Sequence, residues 1–181
     1  NGEVIVRTPL KSSKRAITEF IKDNQEWIDK QKDKIAAKRN DLNDWLSPSC
    51  IFFHGKKFEF EYGKTPVAIF TKSKIILPAG MSRSDFIKDS AKKYLPERCL
   101  DLAELMSLSI AEIRIRKMKS CWGTCSRKKV ITLNQALIQV PTWVSDYVMI
   151  HECAHLTHFN HSKKFWDLVG EYFSDYKAAK K

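Results

Sequence analysis

The spacing of apolar residues alternates between strand-like and helix-like along the chain. The β-branched run 4–6 predicts a short strand, and apolar positions at helical spacing over 13–39 predict a long amphipathic helix. Residues 40–48 are expected to be a connector. Short aromatic and β-branched runs over 51–77, broken by turn residues, predict a small antiparallel sheet. The turn residues are Gly55, Gly63 and Pro66.

The second half of the chain continues this alternation. Ser84 is expected to start a helix that Pro96 kinks or breaks and that then resumes. Residues 110–116 and 130–134 are strand candidates. Pro141 is expected to open a partly buried helix. Helices and short strands therefore both contribute to the predicted structure.

Two histidines and a glutamate follow in that last helix, in the sequence His151-Glu152-Cys153-Ala154-His155. Residues four apart lie one helical turn above each other, so His151 and His155 are expected to bind one metal ion from the same face. A zinc ion with three protein ligands keeps one position for water and lowers the pKa of that water to about 7. Glu152 can accept the proton and pass it to the leaving group. The motif predicts a zinc hydrolase with one ion per chain.

The third metal ligand has several candidates. If the helix ran straight on, the Cα of His158 would lie roughly 10 Å along the axis from that of the first histidine, too far to share a tetrahedral ion. We expect Phe159-Asn160 to turn the chain back, with the asparagine in a left-handed conformation, so that His161 reaches the metal. Glu171, on a next helix capped by Ser162, is the alternative by analogy with zincins whose third ligand is a downstream glutamate. His161 is preferred because it needs no long-range assumption.

Five cysteines, an odd number, argue against a full disulfide framework and predict a reducing, cytoplasmic setting. Cys121 and Cys125 form a C-x3-C pair that suggests a second zinc site, but no second pair accompanies it, so structural roles are preferred. Cys153 is expected to face away from the two histidines and to pack in the core. No apolar run approaches the roughly 18 residues of a membrane span, and no signal-peptide pattern follows Asn1. We therefore expect no membrane partner.

Length and charge fit an enzyme domain with an anionic partner. A chain of 181 residues that is 43% hydrophobic can bury a substantial core. Its 32 Lys and Arg against 21 Asp and Glu give a formal net charge of +11. Seven basic residues concentrate around Trp122-Gly123 and predict a phosphate- or nucleic-acid-binding patch, although a solvated surface is the simpler interpretation. They are Arg114, Arg116, Lys117, Lys119, Arg127, Lys128 and Lys129.

The strand candidate 130–134 lies just upstream of the helix with the histidines. It is either a sheet edge along which an extended peptide binds or an internal strand, and the two interpretations are balanced. Trp122, Arg116 and Asn134, in and beside the strand candidates, are candidate substrate-binding residues. Trp122 could stack on a base, although core packing is its simpler role. Three residues are candidates for a second oxyanion stabiliser: His158, Tyr147 and Arg116.

Several motifs, concentrated in the last third of the chain, resemble the YgjP-like metal-dependent hydrolases, also called YgjP-like metallopeptidases. The similarity is closest from about Arg114 to Tyr176, and the upstream helices and short strands are compatible with the rest of that family. The motifs are Lys119-Ser120-Cys121-Trp122-Gly123-Thr124-Cys125-Ser126, Ile131-Thr132-Leu133-Asn134, Pro141, Asp146-Tyr147-Val148, His151-Glu152 through His155-Leu156, Asn160-His161-Ser162 and Phe165-Trp166.

The resemblance implies an α+β, zincin-like fold in which the active helix, with its HExxH motif, packs with a small β-sheet and carries an N-terminal strand and helix extension. Residues 1–109 would form the N-terminal strand, helix and small-sheet region followed by a helix. Residues 110–181 would form the zincin-like metal-binding catalytic region, within one compact unit.

The same resemblance implies a site and a relationship. Zinc would be held by His151, His155 and His161, Glu152 would be the catalytic base, and the SprT-like proteases would be relatives. Two positions depart from the family, which usually has Arg and Ser where this chain has Cys121 and Thr124. If that arginine helps to bind substrate, substrate preference differs here.

Three functions are consistent with these features. The preferred one is a zinc metallopeptidase, and the first alternative is a metal-dependent nucleoside triphosphate hydrolase that uses the basic cluster. The second alternative is a nucleic-acid-associated protein, either a SprT-like protease or a binder with a structural zinc. A structural zinc usually has four protein ligands and no spare base, whereas three ligands and a free Glu152 are evident here. Catalysis is therefore favoured.

Overall fold

The computed structural model describes residues 13–33 and 49–176, which belong to two units, 1–48 and 49–181. In the first unit, helix α1 spans Lys14–Asp23, and a second helical stretch, α2, covers 25–33. The predicted strand 4–6, the predicted connector 40–48 and the end of the predicted long helix lie outside the described residues.

The prediction of one uninterrupted helix was wrong at Asn24. This residue forms a turn between α1 and α2. Its side-chain Nδ2 donates to the carbonyl of Phe20 at 2.9 Å. The main-chain N–H of Asn24 donates to the same carbonyl at 3.2 Å. Asparagine side chains compete in this way for main-chain groups, which is why they favour helix ends and turns over helix interiors.

The second unit begins with a four-stranded sheet of order β1-β2-β4-β3. Strands β2 and β4 are parallel, whereas the two outer pairs are antiparallel. The prediction of a purely antiparallel sheet was therefore wrong. Strand β4 lies between β2 and β3, and its Ile75 and Leu77 are fully buried. The connection 64–73 returns the chain so that β4 runs in the same direction as β2. The strands are β1 (Cys50–Phe53), β2 (Lys56–Gly63), β3 (Ile69–Phe70) and β4 (Lys74–Pro78).

Helix α3 (Arg83–Leu105) is the longest described element. Ser82 is its N-cap: the hydroxyl accepts the N–H of Asp85 at 3.1 Å and donates to the Asp85 carboxylate at 2.6 Å. The helix thus starts one residue before the predicted Ser84. Pro96 was predicted to kink or break the helix; the break is wrong, because α3 continues through this residue. Buried Leu95 and Cys99 flank the proline, and their packing compensates for the hydrogen bond that proline cannot donate.

A three-stranded sheet of order β5-β7-β6 follows. Strand β7 pairs in parallel with β5 and antiparallel with β6, so the strand predicted at 130–134 is internal. Ile131 and Leu133 of β7, which point to the same face of this sheet, are fully buried. The edge strand is β6. The strands are β5 (Glu112–Arg116), β6 (Gly123–Cys125) and β7 (Val130–Asn134).

Two helices complete the unit, α4 (Thr142–Ala154) and α5 (Lys163–Tyr172). Helix α4 packs against α3, α5 and β6, so the predicted α+β fold is confirmed. The start of α4 is held by the β1–β2 turn, where the N–H groups of His54 and Gly55 donate to the carbonyls of residues 138 and 139 at 2.8 and 3.0 Å. Within the described ranges, every helix is too short or too polar to cross a lipid bilayer.

Substitution of Gly55 measures how much this turn contributes to stability through its contact with the start of α4. Its φ is +78°, and a Cβ there would lie between 2.7 and 2.9 Å from atoms of Pro141. Gly80 is a matched control, because its φ is +89° but a Cβ there would meet nothing within 4 Å. Both Ala variants incur a backbone cost of roughly 1 kcal/mol, and Gly55→Ala adds the clash. We expect Gly55→Ala to lower the urea midpoint of unfolding further than Gly80→Ala. Equal losses would show that the turn moves away from α4 freely.

Candidate active site

Three imidazoles converge where α4 ends. His151 lies in the last turn of α4, His155 is its C-cap residue, and His161 lies in the loop before α5. Their potential ligand atoms all lie within 4.8 Å of one another, and the Nε2 atoms of His151 and His161 are 3.1 Å apart. Two nitrogens on one tetrahedral zinc ion lie about 3.3 Å apart, from a Zn–N distance of about 2.05 Å. The nitrogens of His151 and His161 therefore have the spacing of two zinc ligands, and a nitrogen of His155 lies within 4.8 Å of both.

A main-chain carbonyl orients the second of these rings. Nδ1 of His155 lies 2.9 Å from the carbonyl oxygen of His158. A carbonyl oxygen only accepts hydrogen bonds, so Nδ1 carries the proton and Nε2 keeps the lone pair that a metal needs. His158 thus contributes through its main chain, a role that the spacing of histidines alone does not reveal.

The chain reverses earlier than predicted. Helix α4 ends at Ala154, and the N–H groups of residues 156, 157 and 158 donate to carbonyls of residues 153 and 154 in a tight turn. Asn160 has no left-handed conformation: among the described non-glycine residues, positive φ occurs at three other positions. That prediction was wrong, because the tight turn already redirects the chain toward His161. The three positions are His54, Ser107 and Lys129.

One phenyl ring supports all three imidazoles. Phe165 of α5 is fully buried, and its ring centroid lies 4.9, 4.6 and 4.8 Å from those of His151, His155 and His161. Trp166 stacks on His161 at 5.6 Å and makes a second contact with this most exposed of the three rings. The packing of α5 therefore positions the ligand that lies outside α4. Sequence reasoning singled out Phe165 only as part of a family motif.

Glu152 lies beside the histidine cluster but is not a member of it. Its side chain is 6% exposed, and burial raises the pKa of its carboxyl group from 4.5 to about 7. A carboxyl group that titrates near neutral pH can both accept and return a proton. Burial also lowers the pKa of His155, which favours the neutral imidazole that binds metals.

The close approach of β6 creates the space for this carboxyl group. A Cβ on Gly123 would lie 2.7 Å from both Cγ and Oε1 of Glu152, so only glycine fits at this position of β6. Glycine inside a strand often marks such an approach. Sequence reasoning assigned no role to Gly123. The contact places the edge strand directly against the candidate base.

The three predicted substrate-binding residues lie in different surroundings. Trp122, directly before β6, is 48% exposed, and Arg116 is exposed at the end of β5. Asn134 is buried: its Nδ2 donates to the carbonyls of Met118 and Cys121 at 3.0 Å each, and its Oδ1 accepts the N–H of Ala136 at 3.1 Å. Its amide therefore holds the loop before β6, and a substrate contact would require the release of one of these bonds.

Of the three candidate oxyanion stabilisers, Tyr147 lies beside His151 on α4. It precedes His151 by one helical turn, and the two ring centroids are 6.1 Å apart. Burial raises the pKa of its phenol, so the hydroxyl stays protonated and can donate. Arg116 belongs to the exposed row of β5, and His158 is engaged through its carbonyl.

The basic cluster that is continuous in sequence is divided in space. Arg127, Lys128 and Lys129 form the turn between β6 and β7, and the carbonyl of Lys129 accepts the N–H of Ala111 just before β5. Parallel pairing of β5 with β7 places Arg116 at the opposite end of the sheet. Between them, Arg114 is neutralised by Glu112 through two hydrogen bonds of 2.6 and 2.7 Å.

The remaining candidate ligands have other surroundings. Cys121 Sγ lies 3.8 Å from the sulfur of Met118, and Cys125 Sγ lies 3.7 Å from the carbonyl of Ser126. Cys153 is fully buried, and a hydrogen bond with Cys99 of α3 raises the pKa of its thiol, which confirms its predicted core packing. Glu171, the alternative third ligand, is exposed on α5 and lies outside the histidine group.

The chain matches one protein family and is similar in sequence to parts of solved metallopeptidase zymogens. The model of the family described as YgjP-like, metallopeptidase domain matches residues 1–181. The crystal structure of the metallopeptidase zymogen abylysin from Pyrococcus abyssi is 28% identical, over 44% of this chain and 79% of that one, with a TM-score of 0.40. The zymogen jannalysin from Methanocaldococcus jannaschii is 23% identical, over 49% of this chain and 89% of that one, with a TM-score of 0.43. No curated protein matches the chain.

The raised pKa of Glu152 predicts a pH-dependent stability of the metal-free protein. A carboxyl group whose pKa is higher in the folded state stabilises the fold below pH 4.5, and this contribution is lost as the pH rises through about 7. Glu152→Gln stays neutral. We therefore expect its free energy of unfolding, relative to the original protein, to rise by up to about 3 kcal/mol between pH 4.5 and pH 8.

Urea unfolding in the presence of a chelator measures this difference. Glu171→Gln, at an exposed position, controls for the substitution itself. A difference that stays constant across this pH range would show that the carboxyl group of Glu152 is hydrated in solution.

Proposed function

The chain belongs to the YgjP-like metallopeptidase family, and on this basis we propose that His151, His155 and His161 hold a catalytic zinc ion, with Glu152 as general base in peptide-bond hydrolysis. The protein is a metallopeptidase with a metal cofactor. The observation that carries the proposal is the arrangement of three converging imidazoles with a buried carboxyl group that is not one of the ligands.

The donor set favours zinc over metals that prefer oxygen ligands. Three neutral imidazole nitrogens at this spacing suit a tetrahedral zinc site with one open position, whereas Mg²⁺ and Ca²⁺ prefer oxygen ligands. The protonated Nδ1 of His155 adds the outer hydrogen bond that such ligands usually make. When bound, zinc acts as a Lewis acid that polarises a carbonyl group and lowers the pKa of water to about 7.

Glu152 moves the proton. Its carboxylate accepts a proton from the attacking water, and its raised pKa allows it to donate that proton to the leaving amine nitrogen. Gly123 leaves the carboxyl group room in this position. The hydroxyl of Tyr147, next to His151, is the donor that we assign to the developing oxyanion.

The edge strand β6 supplies a binding surface for an extended peptide. In the described part of the chain, β6 pairs with β7 on one side only. A substrate strand that adds to the other side would bind through main-chain hydrogen bonds, which depend little on its sequence. Because Gly123 of β6 contacts Glu152, such a peptide would lie directly beside the base.

Two alternatives use the same residues. Hydrolysis of nucleoside triphosphates would use the same base, with the basic residues as phosphate contacts, and a nucleic-acid-associated protease would use those residues for recruitment. Both partners stay predictions, as does a cytoplasmic location. Peptide hydrolysis is preferred because β6 and the family match both support it.

The decisive experiment compares peptide and nucleotide hydrolysis. The zinc-loaded protein is incubated with an unfolded polypeptide and, separately, with nucleoside triphosphates, and Glu152→Gln is the blank. We expect this variant to bind zinc normally, since Glu152 is not one of the proposed ligands. Because the Gln side chain cannot accept the proton, we expect kcat to fall by at least about 10²-fold. Phosphate release without peptide products would show that the protein hydrolyses nucleotides and not peptides.

Zinc binding tests the third ligand separately. His161→Ala removes one of three donors, so we expect bound zinc after dialysis to fall strongly when measured by elemental analysis. The matched variant Glu171→Gln should keep its zinc, since Glu171 lies outside the histidine group. Full occupancy in His161→Ala, together with loss in Glu171→Gln, would transfer the ligand role to the glutamate.

Gly123→Ala tests the placement of the base. A Cβ at 2.7 Å from Glu152 must displace the carboxyl group, and misplacement of about 1 Å can lower the rate about 10²-fold. We expect kcat to fall by ten- to a hundredfold with unchanged zinc content. Gly80→Ala, in open space, is the control. Unchanged kcat would mean that Glu152 acts from another position.

A further inference from the structure

The basic turn, Arg127-Lys128-Lys129 between β6 and β7, ends the strand that contacts Glu152. We propose that it selects peptide substrates with acidic side chains on the N-terminal side of the cleaved bond. The inference rests on the proposed function, because it assumes that the substrate adds to β6.

The basic turn reaches the loop that carries the third histidine. The guanidinium carbon of Arg127 lies 6.0 Å from the ring centroid of Phe159, which stands between His155 and His161 in the chain. A guanidinium group over an aromatic ring is held by cation–π attraction and keeps its N–H groups at the rim of the plane. Arg127 is thus positioned beside the loop that carries His161, with donors that suit a carboxylate.

The main chain of the basic turn is fixed while its side chains are exposed. The hydroxyl of Ser126 accepts the N–H of Val130 at 3.2 Å, and the carbonyl of Ser126 accepts that of Lys129 at 2.9 Å. Lys129 adopts a φ of +56° in this turn. No carboxylate of residues 13–33 or 49–176 forms an ion pair with the three cations, in contrast to Arg114. The turn is therefore available to an acidic partner.

Strand direction determines which part of a substrate meets the basic turn. The base contacts Gly123, so the cleaved bond lies opposite the start of β6. Antiparallel pairing is the more stable arrangement, and it directs the N-terminal side of the substrate toward Cys125 and the basic turn. Arg127 follows Gly123 by four positions, so it would meet side chains about three or four residues before the cleaved bond.

The expected preference is moderate because the cations are exposed. Exposed charge pairs contribute little individually, so we expect an acidic residue to raise kcat/KM by about three- to tenfold over its neutral amide, mainly through KM. The preference should decrease as salt is raised, since the Debye length falls to about 3 Å at 1 M.

The test uses the zinc-loaded full chain. The cleavage position in an unfolded polypeptide is first mapped by mass spectrometry with Glu152→Gln as blank. Three peptides around it then carry Glu, Gln or Lys at the third and fourth positions before the cleaved bond. We expect kcat/KM to follow the order Glu, Gln, Lys, with the preference lost in Arg127→Gln and reversed in Arg127→Glu. Lys72→Gln removes one charge from an exposed turn of the other sheet and should keep the preference.

Each other outcome overturns the inference in an identifiable way. Equal cleavage of the three peptides by the original protein would overturn it and leave the proposed function intact. No cleavage beyond the Glu152→Gln blank would instead remove the proposed function and the inference with it. Equal loss in Lys72→Gln would show a general charge effect. If Arg127→Gln weakens binding of a labelled single-stranded oligonucleotide to the Glu152→Gln protein while the peptides are cleaved equally, the basic turn is a nucleic-acid contact.

Discussion

The active site depends on the packing of Phe165 against three imidazoles. This buried ring lies at centroid distances from 4.6 to 4.9 Å from all three imidazoles. Two of the histidines belong to the same helix end and would be close in any helix, whereas His161 arrives from a loop. Because Phe165 belongs to α5, the docking of α5 on α4 determines whether the third nitrogen reaches the other two. In the metal site that we propose, affinity for the ion and core packing are therefore physically linked.

A second constraint couples the sheet to the chemistry. The edge strand β6 approaches α4 so closely that a single Cβ at Gly123 would overlap the Glu152 side chain. This approach excludes water from the carboxyl group, and the loss of hydration raises its pKa to about 7. The same approach brings β6, which pairs on one side only in the described part of the chain, beside this carboxyl group. In the mechanism that we propose, proton transfer and peptide alignment thus depend on one contact between a strand and a helix.

Because the basic residues are divided in space, the two ends of the surface along β6 carry different side chains. Trp122 precedes the strand and Arg127 follows it, so an aromatic side chain lies at one end and cations at the other. Between the two basic groups, Arg114 is neutralised by Glu112, which removes the continuity that the sequence suggested. An aromatic side chain at one end and cations at the other would distinguish the two ends of a bound peptide, which main-chain hydrogen bonds alone do not.

The sequence by itself determined whatever depends on local spacing. Residues close together in the chain were enough to predict His151 and His155 with Glu152, the bounds of β7 and the family. Helical and strand periodicity are local properties. Tertiary structure alone decided the parallel pairing of β2 with β4, the interior position of β7, the continuity of α3 through Pro96 and the separation of the basic residues. It also placed Gly123 against Glu152. These features depend on which segments, distant in the sequence, pack against each other. The free energy of that packing cannot be read from any local sequence pattern.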